Sequence, residues 1–424
     1  MRKVLIVTYY WPPSGGAGVQ RWLKMCKYLP EFGWEPILLV PENACYPVYD
    51  ATLMQDIASD LKVYTAKIVE PYHFLGSNGT QTSNVGVVGK NQKTSLKQKL
   101  SMWVRGNFFI PDARMWWKRS AVKKAKQIIA LHQPELVITT GPPHSVHLIG
   151  QALKKSLGIK WMADFRDPWT SINYLQEFNL SKRAWKKHYS LEKQVLTEAD
   201  QILTVSKHWA QDFEALGARQ VEVITNGYDE ADFSHLEEKL PSNEFVIMYT
   251  GIITAYRIPH LFFEGLDDYL KENSSSRNIV LRFYGIVDTD AKEAIANYEF
   301  LAKHVEYKGY VSHEKLLKCY HEADLFLLLL DQSDNSAGHI PGKLFEYLAN
   351  QKPILALGNC AGDVNDILTE TRSGVVVDYN DKTNIIKQLK AMMQSGTLEH
   401  NAVISSYSRR ALAQDLALLM LNID

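Results

Sequence analysis

The sequence predicts two tandem, Rossmann-like, doubly wound α/β domains facing a cleft. Three observations carry this. Short continuous apolar runs alternate with helical patterns along nearly all of the chain, as expected for parallel sheets buried on both faces. The alternation breaks once, at TNGYDEADFSHLEEKLP (225–241), where Asn-Gly signals a turn and the acidic stretch before proline reads as a linker. The length of 424 residues also exceeds one ordinary core and fits two.

In the first half, VLIVTYY (4–10) is a strand, followed by a helix through VQRWLKMCKYL and a second strand, PILLV (36–40). ELVITT (135–140), a helix through HSVHLIGQALKKSL, IKWMADF (159–165), QILTVS (201–206) and VEVIT (221–225) continue the pattern. It restarts with FVIMYTG (245–251), IVLRFYGI (279–286), VEYKGYV (305–311), ADLFLLLL (323–330), PILAL (353–357) and GVVVDY (374–379), with helices between. The expected domains are 1–228 and 242–404, with a C-terminal helix in 405–424 packing back on the first domain. Ligands in such sheets sit beyond the carboxyl ends of the strands, which places the expected site in the cleft.

Composition narrows the class. Hydrophobic content of 46% with 22% charged residues is globular. Cys26, Cys45, Cys319 and Cys360 are scattered, with no CxxC pair, which gives neither a disulfide framework nor a zinc site and fits a reducing compartment. The N-terminal run VLIV is too short for a signal peptide, and LFLLLL (325–330) is too short to span a bilayer. Net charge is zero, but residues 1–225 hold 29 Lys+Arg against 18 Asp+Glu, a net +11, balanced by −11 in the remainder. The basic half points to an anionic partner.

Residues 76–100 are rich in Gly, Ser, Asn and Lys and read as a mobile insertion. Segment 96–126 then interleaves aromatics (Trp103, Phe108, Phe109, Trp116, Trp117) with basic residues. Two readings stand: an interfacial segment resting on an anionic membrane, or a core helix with snorkelling lysines.

Several constellations carry chemistry. WPPSGGAGVQRW follows strand one, and Gly15, Gly16 and Gly18 allow a ligand close to the backbone at a helix start. Its GGxG spacing departs from GxGxxG, so the nicotinamide signal is weak even with Glu42 after strand two. TTGPPHSVHLIG places His144 where it would face the cleft mouth, with His147 structural. ADFRDPW gathers Asp164, Arg166 and Asp167, either as a self-contained salt bridge or as a carboxylate facing a reacting hydroxyl. In YTGIITAYR, Arg257 is placed for a phosphate. VDTD (287–290) has the DxD pattern that can hold a divalent ion against a diphosphate, but after a strand it reads foremost as a polar turn, where Asp is common.

The richest stretch is HIPGKLFEYLANQKPILAL (339–357). Pro341 suits a first helical turn and Pro353 forbids continuation, so a helix is expected over 341–350. Lys343 at its start would meet a diphosphate. Glu346, one turn on, would accept hydrogen bonds from a vicinal diol. An ion pair between Lys343 and Glu346 is the structural alternative.

Taken together, PPSGGAGVQRW, NGYD, YTG and KLFEYLANQKPILA resemble family 4 of the retaining glycosyltransferases with the GT-B fold, over nearly the whole chain. ADFRDPW and IPGKLFEYL look like a bacterial branch that acts in surface polysaccharide assembly. The resemblance implies a hexosyl or N-acetylhexosaminyl transfer from a nucleotide-diphosphate sugar to a glycan or polyprenyl-linked acceptor. It implies that Glu346 holds the ribose, that Arg257 and Lys343 face the diphosphate, and that Gly15 and Gly16 approach the donor. The acceptor would lie on the N-terminal domain, aligned by Asp167, Asp164 and His144. No metal or organic cofactor is required on this reading, no nucleic acid is expected, and the location is cytoplasmic, peripheral on the inner face of the membrane.

Two departures qualify the resemblance. Gly338 stands eight residues before Glu346, where the family has a sugar-reading glutamate, and Ile252 follows Gly251 in place of a basic residue. A non-catalytic nucleotide-sugar-binding homologue and a nicotinamide oxidoreductase are the rival readings.

Overall fold

The computed structural model describes residues 1–70, 96–233, 242–273, 278–333, 335–395 and 402–423. Most of the expected insertion, 76–95, and the end of the linker, 234–241, lie outside the described residues. The chain divides into two compact units, Met1–Asn226 with Arg409–Asp424, and Gly227–Ser408. Residues 405–408, grouped by sequence with the C-terminal helix, thus fall in the second unit.

The first unit holds a parallel sheet of β1 (Arg2–Thr8), β2 (Trp34–Glu42), β3 (Lys62–Lys67), β4 (Leu136–Gly141), β5 (Lys160–Phe165), β6 (Gln201–Thr204) and β7 (Val221–Val223). Their order is β3-β2-β1-β4-β5-β6-β7. Its helices are α1 (Ala17–Tyr28), α2 (Leu96–Phe108), α3 (Trp117–His132), α4 (His147–Leu157), α5 (Lys182–Glu198) and α6 (Lys207–Ala215). Residues 96–100, read by composition as insertion, begin α2.

Side chains alternate across each strand. Leu5, Val7, Ile37 and Leu39 therefore face a layer with Trp117, Ile149 and Trp161. Val4, Ile6, Leu38 and Val40 face the opposite layer with Trp22 and Leu23 of α1. Both faces are covered, which is why the strands are apolar without alternation.

The second unit repeats the design with β8 (Glu244–Ile253), β9 (Asn278–Val287), β10 (Val305–Gly309), β11 (Leu325–Leu329), β12 (Ile354–Leu357) and β13 (Gly374–Val377), ordered β10-β9-β8-β11-β12-β13 and parallel throughout. Its helices are α7 (His260–Glu272), α8 (Thr289–Ala296), α9 (His313–Cys319), α10 (Lys343–Ala349), α11 (Asp363–Glu370) and α12 (Lys382–Ser395). The last helix, α13 (Arg409–Leu421), packs on α1 in the first unit, where Leu412, Ala413 and Leu416 are buried.

In each sheet the strand order reverses once, between β1 and β4 and between β8 and β11. The carboxyl ends of these strands are where such sheets bind ligands.

Candidate active site

The second unit assembles its site on α10. Leu344, Phe345, Tyr347 and Leu348 are buried, and this apolar face seats the helix. The Tyr347 ring stacks on Phe326 of β11 at 4.1 Å. Its hydroxyl accepts from the Thr250 amide at 3.0 Å and bonds the Thr250 hydroxyl at 2.9 Å. Helix α10 is thereby pinned to both β8 and β11. It spans Lys343–Ala349, shorter than the expected 341–350, because Pro341 and Gly342 form only the lead-in turn, with Leu344 bonding back to the Pro341 carbonyl at 3.0 Å.

Lys343 opens the helix. Its Nζ donates to the Thr250 carbonyl at 2.7 Å and lies 4.1 Å from the centre of the Tyr249 ring. The residue is half-buried overall, but its ammonium end rests on buried groups. Burial, and then the neighbouring Arg257 charge, bring its pKa down to about 7, with Glu346 acting in the opposite sense.

Space for that ammonium depends on glycine. Gly251 has φ +111°, and a Cβ there would stand 3.2 Å from Nζ. Gly285, its partner across β9, has φ +125°, and a Cβ there would lie 2.0 Å from the Gly251 carbonyl oxygen. Neither position accepts a side chain without displacement.

Lys343 and Glu346 are not paired with each other. Glu346 Oε2 accepts from the Tyr320 hydroxyl, and Oε1 faces His313 Nε2 at 3.1 Å. The buried Tyr320 phenol is pushed well above its ordinary range by burial, and then by the Glu346 charge. Each carboxylate oxygen carries two lone pairs, so one protein contact on each leaves both oxygens able to accept from a ligand. Arg257 sits in a short 3₁₀ turn after β8, with its guanidinium 3.8 Å from the Asp331 carboxylate just beyond β11. Arg257, Lys343 and Glu346 thus converge at the switch point. Gly338 is buried in a turn before α10. VDTD starts α8, with Asp290 in the first turn, where acids favour the helix dipole.

The first unit is different. Asp164, expected to face a reacting hydroxyl, is fully buried. It receives Arg21 at 3.2 Å, the Trp22 indole at 2.7 Å and the Thr140 hydroxyl at 2.8 Å. It is a structural carboxylate that pairs with Arg21, held by three donors with no solvent exposure.

His144 is also corrected. It lies inside an aromatic stack, 5.1 Å from Trp169 with 3° between the planes, and is 5% exposed. Burial, with the nearby His147 and Arg166, holds it well below 6.5, so it is neutral. His147 is buried with it and bonds Thr139 at 3.0 Å. Arg166 is a brace: it donates to the carbonyls of Gly18, Gly141 (3.1 Å) and Pro142. This clamps the glycine loop to the end of β4. Asp167, next along, stays half-buried.

Gly15 and Gly16 have separate reasons. A Cβ on Gly15 would meet Val48 at 3.0 Å and Asp50 at 3.1 Å. Gly16 has φ +93° with open space around it at the start of α1.

Sequence reasoning missed Tyr320, His313 and Asp331, which lie outside any motif, and gave no role to Tyr249 and Thr250 although they open the YTG motif. It also missed the buried Glu70, which binds Tyr9 at 2.7 Å and Arg114 at 3.4 Å.

Comparison with solved structures shows the fold. The chain is similar to Anabaena HepE in complex with UDP and glucose (13% identity, TM-score 0.58, all of both chains covered). It is similar to a mutant of S. aureus TarM in complex with Fondaparinux, alpha-GlcNAc-glycerol and UDP (10% identity, TM-score 0.56, covering 100% of this chain and 97% of that one). The UDP-GlcNAc 2-epimerase of Methanocaldococcus jannaschii has the same architecture (11% identity, TM-score 0.54, 99% of each chain covered). No curated protein sequence matches the chain. The architecture is that of the GT-B glycosyltransferases. Sequence-family models then decide between transferase and epimerase: "Glycosyltransferase Family 4" matches residues 84–232 and "Glycosyl transferases group 1" matches residues 231–411. The chain belongs to the glycosyltransferases of family 4 and group 1.

Proposed function

We propose that the chain is a retaining glycosyltransferase that moves a hexosyl or N-acetylhexosaminyl group to a hydroxyl of a glycan or polyprenyl-linked glycan, in the assembly of surface polysaccharide. The observation that carries it is the convergence of Lys343, Arg257 and the braced carboxylate of Glu346 at the switch point of the second sheet.

The difficult part of glycosyl transfer is departure of the diphosphate. Lys343 and Arg257 supply positive charge where negative charge develops, and they are fixed before the reaction by Tyr249, Thr250 and Asp331. Glu346 holds the ribose hydroxyls. In a front-face reaction the acceptor attacks from the side the leaving group departs, and the departing phosphate takes the acceptor proton. A dedicated side-chain base is then unnecessary. Asp167 remains the candidate for aligning the acceptor. The nucleotide-sugar is a co-substrate and no other cofactor enters. The location that fits is the inner face of the cell membrane; no helix of the described residues is long and apolar enough to cross it.

UDP accompanies the solved HepE and TarM structures, so UDP-sugars are the first donors to test. A thermal-shift panel should show one raising the melting temperature. Glu346→Ala should weaken its binding at least about tenfold, a loss of about 1.4 kcal/mol. If no nucleotide-sugar binds, or Glu346→Ala binds as well as wild type, the reading falls.

A further inference from the structure

We propose that the exposed face of α2, together with the basic start of α5, docks on an anionic lipid surface. Leu100, Trp103, Val104 and Phe108 recur at helical spacing and so share one face of α2. They are 62%, 40%, 37% and 66% exposed. The opposite face is the packed one: a Cβ on Gly106 would stand 2.6 Å from both Phe178 and Leu180. The helix is therefore seated by one side and presents the other, apolar, side to its surroundings. Trp103 and Phe108 lie edge to face at 5.8 Å, a ready aromatic anchor.

The neighbouring element sets the occupant. Asn107 at the end of α2 accepts from the Ser181 amide at 2.7 Å, and Ser181 caps α5. Just beyond, Lys182, Arg183, Lys186 and Lys187 are all exposed, and the first turn of α5 carries no acid. Of the two acids of that helix, Glu192 is buried inward on Trp169 and Thr170, and Glu198 lies at its far end, paired with Lys155. An apolar stripe alone would suit a protein partner. Aromatic residues beside four exposed cations, in a helix start whose first turn has no acid, suit a bilayer interface with anionic headgroups.

The proposal deepens the functional reading above by naming the surface that would meet a lipid-linked acceptor. Vesicle binding is measured without donor or acceptor, so the two readings fail separately. The full chain should co-sediment with phosphatidylcholine–phosphatidylglycerol vesicles and not with phosphatidylcholine alone, and binding should fall with added salt. Lys182→Ser, Arg183→Ser, Lys186→Ser and Lys187→Ser should each weaken it about fivefold. Trp103→Ser with Phe108→Ser should weaken it about tenfold or more. Both sets lie on exposed faces, so UDP-sugar binding in solution should be unchanged and serves as the folding control. Failure to bind anionic vesicles, or binding that survives both sets, overturns the proposal. Concentration-dependent self-association abolished by the same substitutions would also overturn it, and would assign the face to a second copy of the chain.

Discussion

The Tyr320 hydroxyl donates to Glu346 across 26 residues of sequence, joining the turn before β11 to the helix that follows it. With His313 on the other oxygen, the carboxylate is oriented before any ligand arrives. Tyr320→Phe should therefore weaken nucleotide-sugar binding about fivefold to tenfold while costing about 1 kcal/mol of stability. Calorimetric titration and denaturant unfolding read the two effects apart. Equal donor affinity in wild type and Tyr320→Phe would remove the orienting role.

Lys343 sets a pH dependence. Its pKa of about 7 in the folded chain must rise when a diphosphate brings negative charge beside it. Donor binding then takes up a proton between pH 7 and the raised value. Affinity should be flat below pH 7 and fall above it, by at most about tenfold per pH unit. Lys343→Arg, always charged, should flatten the profile.

The same group contributes to stability with a definite sign. The folded pKa lies below the ordinary lysine value of 10.5, so the unfolded chain binds more protons between pH 7 and 10.5. Stability from this residue rises with pH across that window. Lys343→Met should be more heat-stable than wild type at pH 6, with the gap narrowing toward pH 10, as melting curves would report.

Gly251→Ala meets both a positive φ and the Lys343 ammonium. A stability loss of about 1–3 kcal/mol is expected, with weaker donor binding as Nζ is displaced. Unchanged donor affinity would show that the ammonium tolerates the shift.

Asp164 and Asp167 should part company. Asp164→Ala strands the buried Arg21 and should cost about 3–5 kcal/mol. Asp167→Asn should keep both melting temperature and donor affinity, and lower transfer to acceptor. Hydrolysis of donor at the wild-type rate with transfer lost would be the signature.

The two doubly wound sheets were legible because their central strands are buried on both faces and read as uninterrupted apolar runs. Strand β3 escaped for the opposite reason: KVYTAK lies at a sheet edge, and only Ala66 in it is buried. The donor-side charges were legible because Lys343 and Glu346 sit on an otherwise apolar helix. Their partners were not. Thr250 and Tyr320 acquire their roles from the closing of one sheet, which no local pattern encodes. Asp164 and His144 misled because a polar residue at a strand end looks the same in sequence whether it points at solvent or into a ring of donors.

Helix α13 has a consequence for how the chain comes to be folded. Leu412, Ala413, Leu416, Met420 and Ile423 complete the layer that contains Trp22, Leu23 and Trp34, and the Trp34 indole donates to the Ala417 carbonyl at 3.2 Å. The unit that begins first on the ribosome is thus closed by residues synthesised after the whole of the second unit. During translation the second unit can finish while the first still shows an open apolar layer. Trimming the chain after Ser408 should leave the second unit intact and turn its neighbour into a client for chaperones.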